Sequence, residues 1–381
     1  FKQKTAYEIY QCDWSSDVCS SDLEAFPYKT PTGSVYENAD FAGLMDKALA
    51  AADWDGFPAR QAESSKAGKL RGRGMATVIE TTNAGAQPKD QVALQVQGDG
   101  RVIVHTVSHA QGQGHETTLA MLVARALQIP TERVVVRQGL NEPALLGNHT
   151  GGSRNTVGVG TVCHLTALKL IDQGKARVAE AWGVEPSQVA YARGAFTCKE
   201  PNKNRALQEL AGNGMFETIG EGAFGATFPN DCHVAEVEVD PETGQVTVMS
   251  YVTADDFGVI VNDTIVEGQL HGAVLQGAGQ VFGEVAHYDS ASGQMLTASF
   301  MDYYLPRAGL IRDINMNHHA TPSRVSPLGV KGMGEAGLTG ALPALTNAVL
   351  DALRGVGITH LNMPLTPAKI WSAIQAARLR G

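Results

Sequence analysis

Val330-Lys331-Gly332-Met333-Gly334-Glu335-Ala336-Gly337 is the stretch on which the fold turns. Within it, Gly332 to Gly337 has the GxGxxG spacing of a dinucleotide-binding Rossmann turn. Such a turn must follow a buried strand. Ser323 to Gly329, with Pro327, does not read as one. The stretch therefore reads as a loop that presents one carboxylate, Glu335, to something bound close by. Glycines let a backbone approach a ligand and take positive φ without steric cost. Lys331 in the same loop is expected to favour the ionised carboxylate, and burial to oppose it. Taken alone, the loop would equally suit a solvated surface acid.

Two further loops precede helical patterns. Gln111-Gly112-Gln113-Gly114-His115 heads a helix expected over 116–127, with Thr118 in its first turns. Free N–H groups and the positive dipole end make such a start an anion site. His115-Glu116-Thr117-Thr118-Leu119 begins like a zinc-protease helix, but Leu119 stands where the second histidine must be. Thr150-Gly151-Gly152-Ser153-Arg154-Asn155-Thr156 offers hydroxyls and an arginine fork before a long helix reaching Trp182. A single glycine-rich turn is ordinary. Two of them, with a lone acid on a third loop, point to a phosphate-bearing cofactor with a base beside it.

The chain has 381 residues, 43% of them hydrophobic, and 42 glycines, enough for one large or two smaller domains. A net charge of −9 and a pI near 5.7 argue against nucleic-acid or anionic-membrane partners. No apolar run is long enough to span a bilayer. Phe1 to Leu23 has no helical or strand period and no signal-peptide core; it resembles a translated sequencing adapter. It is read as a non-native, disordered leader. Cys163, Cys198 and Cys232 then remain, far apart, with no CxxC pair, so no zinc or iron–sulfur framework is expected.

The rest reads as α+β, hairpins mixed with packed helices. Residues 24–65 form a connector with a helix at Phe41–Ala52. Residues 66–230 form a first subdomain, with a strand from Gly72 to Thr82 and a hairpin of 91–97 and 101–107. Residues 231–381 form a second, with a hairpin of 232–240 and 245–254, a helix opening at Gly268, another at Ala341–Leu353, and a last one capped by Thr366 with Pro367 at N1. Gly112-Gln113-Gly114-His115 and Gly268-Gln269-Leu270-His271, each after a hairpin, hint at an internal duplication.

GQGHETT, GGSRNT and GVKGMGEAG, in that order, resemble the molybdenum-cofactor-binding large subunit of the xanthine dehydrogenase/aldehyde oxidase/carbon monoxide dehydrogenase family. GQLHGAVLQGAGQ (268–280), DYYLP (302–306) and NMPLTPAKIW (362–371) extend the likeness over residues 24–381. The resemblance implies a molybdenum-dependent oxidoreductase whose base is Glu335. It implies cofactor contacts at Gln111, Gly112, Gln113, Gly114, His115 and Thr118, at Gly152, Ser153 and Arg154, at Gln269, and at Lys331 and Gly332. GQGHET is most like members that carry Mo-molybdopterin cytosine dinucleotide. Implied partners are an iron–sulfur (2Fe–2S) small subunit and an FAD medium subunit, as a dimer of heterotrimers, in the cytoplasm, with the periplasm as the alternative. Family large subunits are longer than this chain. The resemblance places it in their C-terminal part, after the loop that governs substrate, so the substrate is not readable. A glycine-rich, non-catalytic binding or assembly protein with a structural Glu335 is the rival reading.

Overall fold

The structure, a computed structural model, describes residues 26–83, 87–200, 202–212 and 214–379. The leader read at residues 1–23 lies outside them. Strands β1 (Tyr28–Lys29) and β2 (Val35–Tyr36) come first, then helices α1 (Phe41–Ala51) and α2 (Phe57–Lys66) and strand β3 (Leu70–Ile79). The hairpin β4 (Asp90–Gln97) and β5 (Val102–Thr106) leads to helix α3 (His115–Leu127), strand β6 (Val134–Gln138) and helix α4 (Thr161–Trp182). A wide helical turn, Thr156–Gly160, feeds α4. Then follow β7 (Ala190–Ala192), β8 (Ala195–Cys198), β9 (Lys203–Ala206) and β10 (Met215–Gly222). The second hairpin, β11 (Asn230–Val239) and β12 (Val246–Asp256), leads to α5 (Asp263–Phe282), β13 (Asn315–His318), α6 (Ala336–Arg354) and α7 (Pro367–Arg378).

Two four-stranded sheets share one plan, ordered β10-β4-β5-β6 and β3-β11-β12-β13. In each, the hairpin carries an antiparallel neighbour on its first strand and a parallel one on its second. The parallel neighbour is reached through a helix, α3 or α5, as a parallel crossover requires. The next helix packs on the hairpin's first strand and its antiparallel neighbour: α4 on β4 and β10, α6 on β11 and β3. The halves repeat one ββαβα unit. The duplication is real at this level, but the four-residue likeness is not its trace. Gly112–Gly114 precedes α3, whereas Gly268–His271 lies inside α5.

The halves differ in where the outer strand comes from. β10 follows α4, while β3 precedes the whole first half and pairs with β11 from Leu70–Val239 to Ile79–Asn230. Residues 70–79, assigned from sequence to the first subdomain, therefore belong to the second sheet. The boundary at 230/231 needs this correction, because strand pairing joins distant segments that a linear division separates.

Core burial follows the alternation of the hairpins. Val92, Leu94, Val96, Val102 and Val104 point at Leu119, Val123 and Leu127 of α3 and Leu170 of α4. In the second sheet Ala235, Val237 and Val239 face Leu270 and Val274 of α5 and Leu345 and Val349 of α6. Its opposite face, with Cys232 and Val234, is covered by Leu44 and Ala48 of α1, so residues 24–65 are more than a connector. Burying Leu44 alone contributes roughly 2 kcal/mol. Cys163, Cys198 and Cys232 are all buried and free.

Helix α6 starts at Ala336 rather than at the expected Ala341, and carries Pro343 inside it. An internal proline costs about 3 kcal/mol. Close packing offsets this. A Cβ on Gly72 or Gly74 would lie 2.2 Å from the carbonyl oxygens of Ala348 or Ala344, so α6 rests directly on the backbone of β3. That contact fixes the start of α6, and with it Glu335.

Candidate functional site: four helix starts around one cavity

Residues from the starts of α3, the Thr156 turn before α4, α5 and α6 line a single cavity of about 280 Å³. The first N–H groups of a helix have no intrahelical acceptor and sit at its positive end. Four such ends converging from two repeated units make a strongly anion-accepting hollow. His115 opens α3. It is buried, and Asn155 Nδ2 lies 3.0 Å from its Nδ1. Burial lowers its pKa, so the ring is neutral. Thr118, one turn on, also lines the cavity, as do Gln111 and Gln113. Gly112 and Gly114 supply the backbone bends, at φ +117° and +73°.

Ser153 sits at φ +50° on the second loop. The Glu335 loop is pressed against it: a Cβ on Gly332 would meet the Ser153 carbonyl oxygen at 2.2 Å. Only glycine permits that approach. Arg154 was expected to extend its fork to a phosphate. It is instead buried, with Nη2 2.5 Å from Asp90 Oδ2 at the foot of β4. A buried aspartate needs a partner at hand, and the arginine next to the loop supplies it. Arg154 Nε is left buried with no protein partner, as is Asn155 Oδ1.

Lys331 also turns away from Glu335. Its Nζ is wholly buried, 2.7 Å from Asp256 Oδ2 and 2.9 Å from Thr321 Oγ1. The expectation that it supports the Glu335 carboxylate directly is corrected by this ion pair. Glu335 caps α6, is exposed, and lies on the cavity wall. Beside it stands a residue the sequence did not single out, Glu80, just past the end of β3. Burial and the neighbouring Glu335 raise the Glu80 carboxyl to about 7.

Gly152, Gln269 and Gly332 complete the expected residues that line the cavity. Asn262 and Ile265 of α5 were missed. The signal was present: Asn262 is an N-cap, its side chain accepting the Ile265 N–H at 3.0 Å, with Asp263 in the first turn. The helix expected to open at Gly268 starts at Asp263 instead.

A family model described as molybdopterin cofactor-binding domain matches residues 47–312, and the chain belongs to that family. It is 34% identical to the nicotine 6-hydroxylase large subunit of Paenarthrobacter nicotinovorans, over 91% of this chain and 46% of that one. It is 30% identical to the carbon monoxide dehydrogenase large chain of Hydrogenophaga pseudoflava, over 93% of this chain and 47% of that one. The structure matches that of a carbon monoxide dehydrogenase from Oligotropha carboxidovorans with a TM-score of 0.85 at 28% identity, covering 94% of this chain and 48% of that one. The chain spans about half the length of these relatives. The α+β expectation holds, with mixed sheets and packed helices as in the matched structure. The cavity suits the cofactor: its helix starts offer backbone donors to phosphates, and the hollow lies between two repeats. Among the described residues no helix is long and apolar enough to cross a membrane.

Proposed function

We propose that this chain is the cofactor-holding, base-bearing part of a molybdenum hydroxylase large subunit. The observation that carries this is the meeting of four helix starts with one exposed carboxylate, Glu335, on the wall they form. The pterin cofactor would lie along the Gln111–Thr118 and Gly152–Arg154 loops, Gln269 and the Lys331–Gly332 backbone. The dinucleotide is read as the cytosine form. When bound, the molybdenum centre supplies the oxidising equivalents for inserting a water-derived oxygen into an aldehyde, a heterocycle or a carbon monoxide-type substrate. Glu335 takes the proton from the attacking oxygen, the task of a general base. Lys331 and Arg154 act one step back, holding their loops by buried ion pairs.

The relatives' names mark large subunits, which supports smaller partner subunits. We read these as an iron–sulfur small subunit and an FAD medium subunit, in a dimer of such trimers in the cytoplasm. The test is a chemical analysis of the purified protein. Molybdenum and an equal amount of cytosine nucleotide released by acid hydrolysis are expected. A protein reconstituted with its partners that holds neither would refute the reading, and a guanine or absent nucleotide would refute the cytosine assignment alone.

A further inference from the structure

Glu80 lies where β3 meets the cavity wall. Its backbone N–H donates to the Pro229 carbonyl at 3.1 Å, which fixes the strand end. Its Oε1 faces Ser153 Oγ at 3.4 Å. Its Oε2 is buried and no donor side chain faces it. A Cβ on Gly334 would lie 3.2 Å from the same Ser153 hydroxyl, so the next residue, Glu335, is held beside Glu80, and its carboxylate raises the Glu80 carboxyl. Two ionised carboxylates are both acceptors, so this contact is repulsive and leaves Oε2 orphaned. One proton between them converts it into a hydrogen bond.

The surroundings disfavour a second negative charge. Behind Glu80, Asp231 on β11 is fully buried and sits cross-strand from Asp255 of β12. Asp256 is adjacent, and the nearby cation, Lys331, is already paired to it. Burial first, then Asp255, Glu80 and Asp256, push Asp231 up, against Lys331. From the cavity side, Ser153 and Glu335 are the groups that face Glu80.

We propose that Glu80 and Glu335 form a carboxyl pair sharing one proton, with Glu80 the positioning residue that holds it against Glu335. Glu80, the more buried acid, carries the proton and donates to one Glu335 oxygen. The other Glu335 oxygen stays free to accept a proton during turnover. The pairing stands on its own geometry; its consequence for turnover rests on the reading of Glu335 as base.

Infrared difference titration of the chain, without cofactor, tests the pair from about pH 6 to about pH 8. The wild type should show a protonated-carboxyl C=O band, shifted in D2O, that is lost near pH 7. In Glu80→Gln the band should lose its Glu80 part and keep the part from Asp255, which burial also raises to about 7. In Glu335→Gln the Glu80 part should persist but titrate about one unit lower, because the like charge is gone while burial remains. A band unchanged in Glu80→Gln, or a midpoint unmoved in Glu335→Gln, overturns the pairing. If Glu80→Gln does not fold, the Glu335→Gln titration decides alone. In the loaded enzyme, Glu80→Gln should remove the inflection near neutrality from the pH profile of kcat. Normal turnover of Glu335→Gln would refute the base and leave the infrared result standing.

Discussion

In the first half, the loop before α4 carries Arg154, tied to Asp90 at the start of β4; in the second, the loop before α6 carries Lys331, tied to Asp256 at the end of β12. Both cations look from sequence like cofactor ligands. Both are loop anchors, held by a buried aspartate at a strand end. Behind Asp90 the sheet is filled by Val92, Leu94 and Val104. Next to Asp256 lie Asp231, His233 and Asp255, which bring their ligating atoms within 4.8 Å of one another, with Tyr251 donating to or accepting from His233 at 2.8 Å. One unit thus ends in a single buried ion pair hydrogen-bonded to Asn148, and the other in a cluster of buried acids beside Glu335. The two repeats present unlike strand ends to one cavity, and Glu335 lies on the side of the buried acids.

The largest effect should come from breaking these anchors. Arg154→Met and Lys331→Met each take the counter-charge from a buried aspartate that keeps only neutral hydrogen-bond donors, and breaking a buried pair typically costs about 3–5 kcal/mol. Urea unfolding of the two variants would measure it. Asp90→Asn added to Arg154→Met should recover part of the loss. If Lys331→Met costs nothing, the ion pair to Asp256 is not the anchor of its loop and the comparison between the halves fails.

A smaller effect should separate the halves by pH. Glu80 and Asp255 are raised by burial to about 7, above the ordinary 4.5 and 3.8. The folded state binds their protons more tightly, so their contribution is full below the ordinary values and lost as pH rises through about 7. His233 works the other way: burial lowers it to about 3, so its contribution is lost as pH falls from 6.5. Stability measured from about pH 6.5 upward therefore isolates the acids. Glu80→Gln should flatten the fall on that side by on the order of 1 kcal/mol, after allowance for solvent screening at a partly exposed group. A fall of equal depth in both proteins would contradict the assignment.

The smallest effect belongs to the cap of α5. Asn262→Ala should cost about 1 kcal/mol, read by thermal unfolding. A loss of bound nucleotide is expected as well, because Asn262 also lines the cavity.

Much of this was legible. The turns at Gly98–Gly100 and Pro241–Gly244 located both hairpins, and the Thr366–Pro367 cap located α7, whose Thr366 accepts the Lys369 N–H. The three loops expected to act together line one cavity. What failed was non-local. β3 looks like a strand of the first unit because sequence gives no partner. Residues 183–230 hold strands of three or four residues and β10, too short or too charged to show a clean period. Glu80 closes an alternating strand and reads as a surface acid; its neighbour Glu335 is far away in the chain. The partners of Arg154 and Lys331 are invisible for the same reason.

The most direct test of the account is turnover of Glu335→Gln set against its molybdenum content, in a protein carrying the rest of the subunit. Glutamine keeps the shape but accepts no proton. With metal content held, turnover should fall by about 10²-fold or more, the usual worth of a general base. Full molybdenum with near-normal turnover would end the reading of Glu335 as the base, and loss of metal in proportion to activity would make it a structural residue of the loop.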